Sequence, residues 1–459
     1  MRHGAEYGWV GGLGCGLAFG MFGLIASAVA GDPPRPAKVV PTFTKDVAPI
    51  IQAKCLNCHR RHQVGPFVLE TYEQARRRAK DIALVAQERS MPPWKPTPGV
   101  GPKLKHDQSL SAAQVATLAA WAEAGAPRGD PKDLPPPRNF AEGWKLGPPD
   151  LVLEPAEDFP IPASGPDTYR CFVLPTNLTS DTYLEAIDYQ AGHASVVHHV
   201  ISYIDTTGVA RQLDEAEPGP GYTSSLGGGN VGADELGFWT AGSEPHRLPD
   251  GVGIRLPRQS DIILQVHYHP NGKPGADRTR MGLYFAKKPV KQALHWNNAS
   301  SYDFRLPAGN SNVEVKASWY IPVALEAIAV APHMHQLGHD MRMTVVYPDG
   351  KSRDLIHIAD WDASWQNAYY FQVPVPLPAG STVKVVAHFD NSAHARNPNK
   401  PPKLVKYGTN ADDEMCVGYI AVVKKGQDLS VPYATDDLFD IFKRQRIRQG
   451  QRQASKSQR

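Results

Sequence analysis

The chain has 459 residues, 41% of them hydrophobic, so it is long enough for several domains with apolar cores. Lys and Arg number 49 against 46 Asp and Glu, and this near balance argues against nucleic acid as a partner. Five cysteines exclude a disulfide-stabilised scaffold, and 42 prolines with 40 glycines favour short β-strands over long helices.

Residues 1–30 are typical of a secretory signal peptide. Arg2 precedes an uncharged stretch from Gly8 to Ala30, which ends in the small residues Ala28-Val29-Ala30. An uncleaved membrane anchor is the alternative, because a stretch of this length can span a bilayer. We therefore expect an exported protein, periplasmic or extracellular.

Residues 40–130 are predicted to form a small all-α domain that carries haem. In Cys55-Leu56-Asn57-Cys58-His59, two thiols can form thioethers with the vinyl groups of one haem, and the histidine can ligate its iron. A redox dithiol and half of a zinc site are the alternatives. Met91 is the predicted sixth iron ligand, with core packing as its alternative role and His62 and His106 as fallback ligands. The segment resembles a class I cytochrome c domain.

Periodicity and caps predict three helices in this domain. They are Thr44 to Lys54, Glu70 to Arg89, and a helix that follows the capping box of Ser111 and Gln114. A stiff proline-rich linker is predicted at 131–145.

The remainder is predicted to form two all-β sandwich domains, at 146–289 and 290–435, followed by a basic tail at 436–459. The stretch from Thr206 to Pro245 is glycine-rich and weakly patterned, which predicts a functional or disordered loop. The predicted strands are Thr182 to Tyr189, Val196 to Ile204, Asp261 to His267, Met281 to Phe285, Asn312 to Tyr320, Met341 to Tyr347, Thr382 to Phe389 and Val417 to Val423.

Histidines concentrate in this β-rich part. His333 and His335 can share one ion because residues i and i+2 of a strand face the same way. Adjacent His198 and His199 face opposite ways, so both can ligate only if the strand is bulged or ends there. With His267 and Met415, these residues indicate one all-nitrogen site and one site with a thioether, which favours Cu(I) over zinc. For each cluster alone, surface or core histidines are the alternative.

Four motifs carry a resemblance to a known family. They are Arg247-Leu248-Pro249-Asp250-Gly251-Val252-Gly253, Leu264-Gln265-Val266-His267-Tyr268, His333-Met334-His335-Gln336-Leu337-Gly338 and Asp413-Glu414-Met415-Cys416 with Tyr419. Their order and spacing resemble the copper type II, ascorbate-dependent monooxygenases, which include peptidylglycine α-hydroxylating monooxygenase and dopamine β-monooxygenase.

The resemblance implies two consecutive jelly-roll-like sandwiches with one copper on each, facing a solvent-filled cleft. It assigns His198, His199 and His267 to an electron-supplying copper. It assigns His333, His335 and Met415 to the copper that binds and activates O₂. Tyr419, Tyr169 and Gln265 match family positions near the metals or the path between them, and they are the candidate catalytic residues.

Two departures affect the expected substrate. The peptide-hydroxylating branch has an arginine where this chain has Ala331, and an asparagine where it has Val417. Losing a charge-assisted clamp costs about 1.5–3 kcal/mol per bond, which argues against a glycine-extended peptide. Cys171 and Cys416 match family cysteines whose usual partners have no counterpart here.

The sequence thus predicts a copper monooxygenase that hydroxylates a C–H bond of a small organic substrate with O₂. Electrons would pass through the fused haem to the first copper, from ascorbate or a periplasmic electron-donor protein. The alternative is a non-enzymatic haem–copper electron-transfer or copper-binding protein with a degenerate monooxygenase fold. Membrane contact is expected only through an uncleaved N-terminal segment or the basic tail.

Overall fold

The computed structural model describes residues 40–445 apart from 62, 142, 225–233, 241, 409 and 411. The predicted signal segment, His62, the glycine run 227–229 and residues 446–459 of the tail lie outside the described residues. Within the described part, helices long and apolar enough to cross a membrane are absent.

The first part of the chain is helical. Capping boxes at Thr71 and Ser111 begin two of the helices, and Val47 and Trp121 are fully buried in a core of their own. The predicted helix from Glu70 to Arg89 is in fact two, because Arg78 leaves helical geometry between them. The elements are a π-helical turn Phe43–Val47, α1 Ala48–Lys54, α2 Tyr72–Arg77, α3 Ala79–Gln87, α4 Ala112–Glu123 and a 3₁₀ turn Pro131–Asp133.

The rest is mostly β-sheet, with α5 at Val209–Ala216. All eight predicted strands are present, with ends that differ by a few residues. The strands are β1 Leu151–Leu153, β2 Phe159–Ile161, β3 Thr168–Pro175, β4 Thr182–Gln190, β5 Val197–Asp205, β6 Tyr222–Thr223, β7 Asp234–Thr240, β8 Val252–Leu256, β9 Asp261–Tyr268, β10 Gly275–Asp277, β11 Arg280–Phe285, β12 Gln292–Ser301, β13 Arg305–Leu306, β14 Val313–Tyr320, β15 Leu325–His333, β16 Gly338–Val346, β17 Ser352–Ile358, β18 Tyr369–Leu377, β19 Thr382–Phe389, β20 Val405–Lys406 and β21 Cys416–Lys424.

These strands build two sandwiches that share one sheet. The five-stranded sheet β6-β3-β9-β5-β7 packs over β1-β11-β4-β8, and the four-stranded sheet β14-β19-β16-β17 packs over β12-β21-β15-β18. The sheets β1-β11-β4-β8 and β12-β21-β15-β18 are continuous and form a single eight-stranded sheet. They are joined because β8 pairs in parallel with β12 through Val252 and Gln292. Alternate residues of β19, such as Val383 and Val385, face the second core.

Two expectations need correction. The stretch from Thr206 to Pro245 is only partly a loop, since it contains α5 and β7. Asp261 pairs with Arg211 of α5 and thereby holds that helix against β9, a long-range contact that local pattern does not reveal. The second sandwich also extends past the expected boundary at 435: residues 438–445 are helical, and Leu438 and Phe442 are buried in its core.

The helical part is attached to the second sandwich by the segment 94–105. Leu104 bridges to Phe371 of β18, and the backbone N–H of Lys105 donates to the carbonyl of Tyr370 at 2.8 Å. Trp94 packs edge-on against Tyr369 with ring centroids 5.3 Å apart. These contacts fix the helical part beside the sheets that carry the histidines.

Candidate functional site

The first histidine cluster lies where β5 and β9 pair. The register between these strands shifts between Val197 and His199, so His198 occupies a bulge. This is the condition under which adjacent histidines can both turn toward one point. The Nδ1 atom of His199 lies 3.1 Å from Nδ1 of His198 and 3.4 Å from Nδ1 of His267. Three ring nitrogens therefore converge, as a metal with nitrogen ligands requires.

Neighbouring side chains orient the third of these rings. Asp167 accepts a hydrogen bond from Nε2 of His267 at 2.8 Å, which leaves Nδ1 as the lone pair that faces the cluster. The same carboxylate binds Nδ1 of His269 at 2.7 Å. Tyr169 stacks on the His267 ring at 4.2 Å, with the two planes only 9° apart. The ring is thus held on its edge and on its face.

The protonation state of this cluster suits metal binding. Burial, with a smaller contribution from His267, lowers the pKa of His198 to about 4. Burial likewise lowers the pKa of His199 well below its ordinary value. Both rings are therefore neutral at neutral pH and hold a lone pair for a cation.

The second cluster is formed by His333 at the end of β15, His335 just after it, and Met415 just before β21. Nδ1 of His333 donates to Oε1 of Gln366 at 2.5 Å. Nδ1 of His335 donates to the carbonyl of Asp413 at 3.1 Å. Each ring therefore has Nε2 free as a ligand atom, and the pKa values of both are lowered chiefly by burial, that of His333 to about 3.

A buried glutamate side chain holds these ligands in place. Glu414 is fully buried and accepts hydrogen bonds from the backbone N–H groups of His335, Leu337 and Met415, at 2.8, 2.6 and 3.2 Å. Burial raises the pKa of Glu414 to about 8, although the three N–H groups act in the opposite direction. This side chain ties the turn after β15 to the segment that carries the methionine.

Both clusters line one cleft of about 1300 Å³, its solvent-open mouth included. The three candidate catalytic residues Tyr169, Gln265 and Tyr419 line it as well. Gln265 is held by a 2.7 Å hydrogen bond to the Ser224 carbonyl. Lysine and arginine are absent from the described lining, and Glu235 is its one carboxylate. Five of the six predicted copper ligands thus line this cleft, and His267 is the exception. The ring of His267 belongs to the first cluster through its contacts with His198 and His199.

The C-x-x-C-H motif lies at the end of α1. Nδ1 of His59 donates to the Phe67 carbonyl at 3.0 Å, so Nε2 is available to a metal. Gly65 packs so closely here that an added Cβ would lie 2.6 Å from the Cys58 carbonyl oxygen. Cys58 also lines a cavity between the helical part and the sandwiches, of about 1330 Å³ with its solvent-open mouth included. The donor set of two thiols and one imidazole nitrogen is the one that a covalently held haem would need.

The residues predicted as sixth ligand are separated. Met91 lines a different cavity, with Val115 and Asp360. His106 lines the same cavity as Cys58, and its ring lies 4.7 Å from that of His246. Nδ1 of His246 is buried and lacks a hydrogen-bond partner within the described structure. The sixth ligand therefore stays a prediction.

Cys171 and Cys416 are both free thiols and form no disulfide within the described residues. Both are fully buried, one in each sandwich, and burial raises the pKa of each thiol to about 12. They are therefore protonated, apolar parts of the structure.

Comparison with known proteins supports the chemistry of the second cluster. Residues 314–431 match the family model of the copper type II ascorbate-dependent monooxygenase, C-terminal domain, over about a quarter of the chain. The match contains His333, His335, Met415 and Tyr419. It supports a copper-dependent, monooxygenase-like function, which is that of an oxidoreductase.

Other comparisons add little. No curated protein matches the chain. Similar solved structures include the STIV MCP, with 10% identity, 60% of this chain and 97% of that chain covered, and a TM-score of 0.28. The major capsid protein P2 from bacteriophage PM2 has 10% identity, with 57% and 100% covered and a TM-score of 0.23. TM-scores this low carry no argument about fold or function.

Several residues of the site were not assigned a role from sequence. Asp167, Gln366 and Glu414 orient ligands, and Glu235 lines the cleft. Glu414 lies beside Met415 within a quoted motif, so its position was visible but its role was not. The others lie far along the chain from the residues they serve.

Proposed function

We propose that this protein is an exported copper monooxygenase that hydroxylates a C–H bond of a small organic substrate with O₂. The observation that carries the proposal is the shared cleft, on which two chemically different ligand sets lie together. One set offers three nitrogens, and the other offers two nitrogens and a thioether. The family match over the second set supports copper as the metal.

The electron balance explains why two sites are useful. Inserting one oxygen atom into a C–H bond and reducing the other to water takes two electrons besides those of the substrate bond. Copper at each site would supply one of them by passing between Cu(I) and Cu(II). The protein would keep the four histidines of the cleft neutral, with a ring nitrogen of each directed at a metal. It would also enclose the substrate beside Tyr419.

The C-x-x-C-H segment completes the proposal. Cys55 and Cys58 would hold a c-type haem, with His59 as its axial ligand, and a haem would supply one electron at a time. The predicted export signal would agree with this assignment. The reductant would be ascorbate or a periplasmic electron-donor protein.

The charge of the cleft indicates the substrate class. Glu235 is the one carboxylate among its described lining, and basic side chains are absent there. Ala331 stands where a carboxylate-binding arginine would be needed. A neutral or cationic substrate is therefore favoured over an anionic one.

Metal content and X-ray absorption test the two copper sites. Protein matured with haem and copper should hold two coppers per haem, with a copper–sulfur shell in the reduced form. Met415→Ala should remove that shell. Met334→Leu is the matched control, because it removes a neighbouring, fully buried methionine at nearly constant volume and should leave the shell intact. One copper or none, or a sulfur shell that survives Met415→Ala, would refute the assignment.

Substrate-coupled O₂ uptake separates the enzyme from its alternative. A haem–copper electron-transfer protein would hold the same metals, and the replacement of the substrate clamp by Ala331 and Val417 is the observation that favours it. The monooxygenase should consume O₂ in proportion to a hydroxylated product when neutral and amine substrates are screened. O₂ uptake that never depends on substrate would favour the alternative.

A further inference from the structure

Two residues form a common wall between the cavity of Cys58 and the copper cleft. Phe238 of β7 and Asn367, just before β18, line both spaces. Their position matters because the thioether of Cys58 would place a haem edge in the first cavity. We infer that Asn367 is the branch point that couples this haem edge to both copper sites, an inference that rests on the proposed function.

One branch leads to the first copper site. Oδ1 of Asn367 accepts hydrogen bonds from the Thr240 hydroxyl at 2.9 Å and from the Ser243 hydroxyl at 3.0 Å. Thr240 is the register partner of His199 in the β5–β7 ladder. A chain of hydrogen bonds and backbone thus joins the wall to a copper ligand.

The other branch leads to the second copper site. Asn367 is bonded through one peptide to Gln366, whose Oε1 accepts the hydrogen bond from Nδ1 of His333. The Nε2 group of Gln366 donates to the Ala363 carbonyl at 2.8 Å, which fixes the amide so that its oxygen faces the histidine. This branch consists of covalent bonds and one hydrogen bond.

Such paths favour electron transfer, because tunnelling decays less steeply through covalent and hydrogen bonds than through empty space. Each transfer moves one electron, with Fe(II) going to Fe(III) and Cu(II) to Cu(I). Two successive transfers therefore restore both coppers after a turnover, with an external one-electron donor reducing the iron between them. The sequence alone suggested a relay to the first site only, whereas the contacts of Asn367 reach both.

Two contacts join the helical part to the second sandwich near Asn367. Lys95 pairs with Asp360 at 2.9 Å, and Gln372 donates its backbone N–H to the Lys103 carbonyl at 2.9 Å. These contacts flank Asn367 along the chain.

The test follows reoxidation of the haem in protein that carries haem and both coppers. The iron is reduced without O₂ by a flash-generated one-electron donor. Its reoxidation is followed by visible absorbance, and each Cu(II) is followed by freeze-quenched electron paramagnetic resonance. Because one flash delivers one electron per haem, wild type should reoxidise its haem in a single phase. The electron should be divided between the two Cu(II) signals in proportion to the two transfer rates.

Three variants separate the branches. Asn367→Leu should slow haem reoxidation by about tenfold or more, while the copper spectra and the haem potential stay as in wild type. Asn367→Asp keeps an oxygen acceptor for Thr240 and should recover much of the rate. Thr240→Val keeps the side-chain shape, removes the hydroxyl and should lower only the share of electrons that reaches the first copper.

The outcomes distinguish the inference from the function on which it rests. If wild type transfers electrons but Asn367→Leu and Thr240→Val do so at the same rates, the inference is wrong and the proposed function stands. If wild type holds no haem, or its haem reoxidises equally with and without copper, both the inference and the haem relay fail.

Discussion

Replacing Glu235 by glutamine should stabilise the protein in alkaline solution and have much less effect in acid. Burial raises the pKa of the Glu235 carboxyl group from 4.5 to about 7. The folded protein therefore binds this proton more tightly than the unfolded chain does. The stability contributed by the protonated group is complete below about pH 4.5 and is lost as the pH rises through 7.

The size of the effect follows from the two pKa values. Their difference corresponds to an upper bound of about 3 kcal/mol at pH 8 and about 1 kcal/mol at pH 5. The bound is not reached in full, because Glu235 is only half-buried and water screens part of its charge. A glutamine has nearly the same shape and carries no charge at either pH.

The assay compares melting temperatures of wild type and Glu235→Gln at pH 5 and pH 8, with both proteins carrying the same metals. The melting temperature of the variant should exceed that of wild type by a few degrees more at pH 8 than at pH 5. Glu215→Gln is the matched control, since it removes a charge from an exposed position on α5. An equal gap at both pH values, or a less stable variant at pH 8, would show that the carboxylate is not desolvated in the cleft.

Three further predictions concern other parts of the molecule. Asp167→Ala should weaken copper binding at the first site ten- to a hundredfold, measured by competition with a Cu(I) chelator, and equal weakening of both sites would contradict this. Met91→Ala should abolish the thioether–iron absorption band and lower the haem potential, and His106→Ala should change neither; the reverse result would assign the ligand to the histidine. Phe442→Ala should cost about 3–5 kcal/mol of stability in thermal unfolding, whereas exposed Phe439→Ala should cost much less; equal losses would place both outside the core.

The sequence could predict the strands because their signal is local. Residues of β14 and β19 alternate between buried and exposed positions, and this period of two is visible without any knowledge of the partner strand. The H-x-H spacing of His333 and His335 is local in the same sense. The bulge at His198 was predicted as a condition for ligation, and the register shift between β5 and β9 meets it.

The groups that orient the ligands could not be predicted in this way. Asp167 and His267 are separated by 100 residues, and Gln366 and His333 by 33. Aspartate and glutamine are common surface residues, so neither stands out until strand pairing brings it to a histidine. The same reasoning applies to residues 438–445, which the sequence predicted as part of a basic tail although Leu438 and Phe442 complete a core.

The difference between the two ligand sets indicates how their roles would differ. A soft thioether stabilises Cu(I), so a copper that binds Met415 would resist oxidation more than one held by three imidazoles. The first set is built into the β5–β9 ladder and is fixed by Asp167, whereas the methionine precedes β21 and is positioned through Glu414. A site that stays reduced until O₂ and substrate arrive suits the chemical step. A rigid nitrogen site whose oxidation state changes readily suits electron supply, and the connection of Asn367 to both sites would then allow either to be restored after turnover.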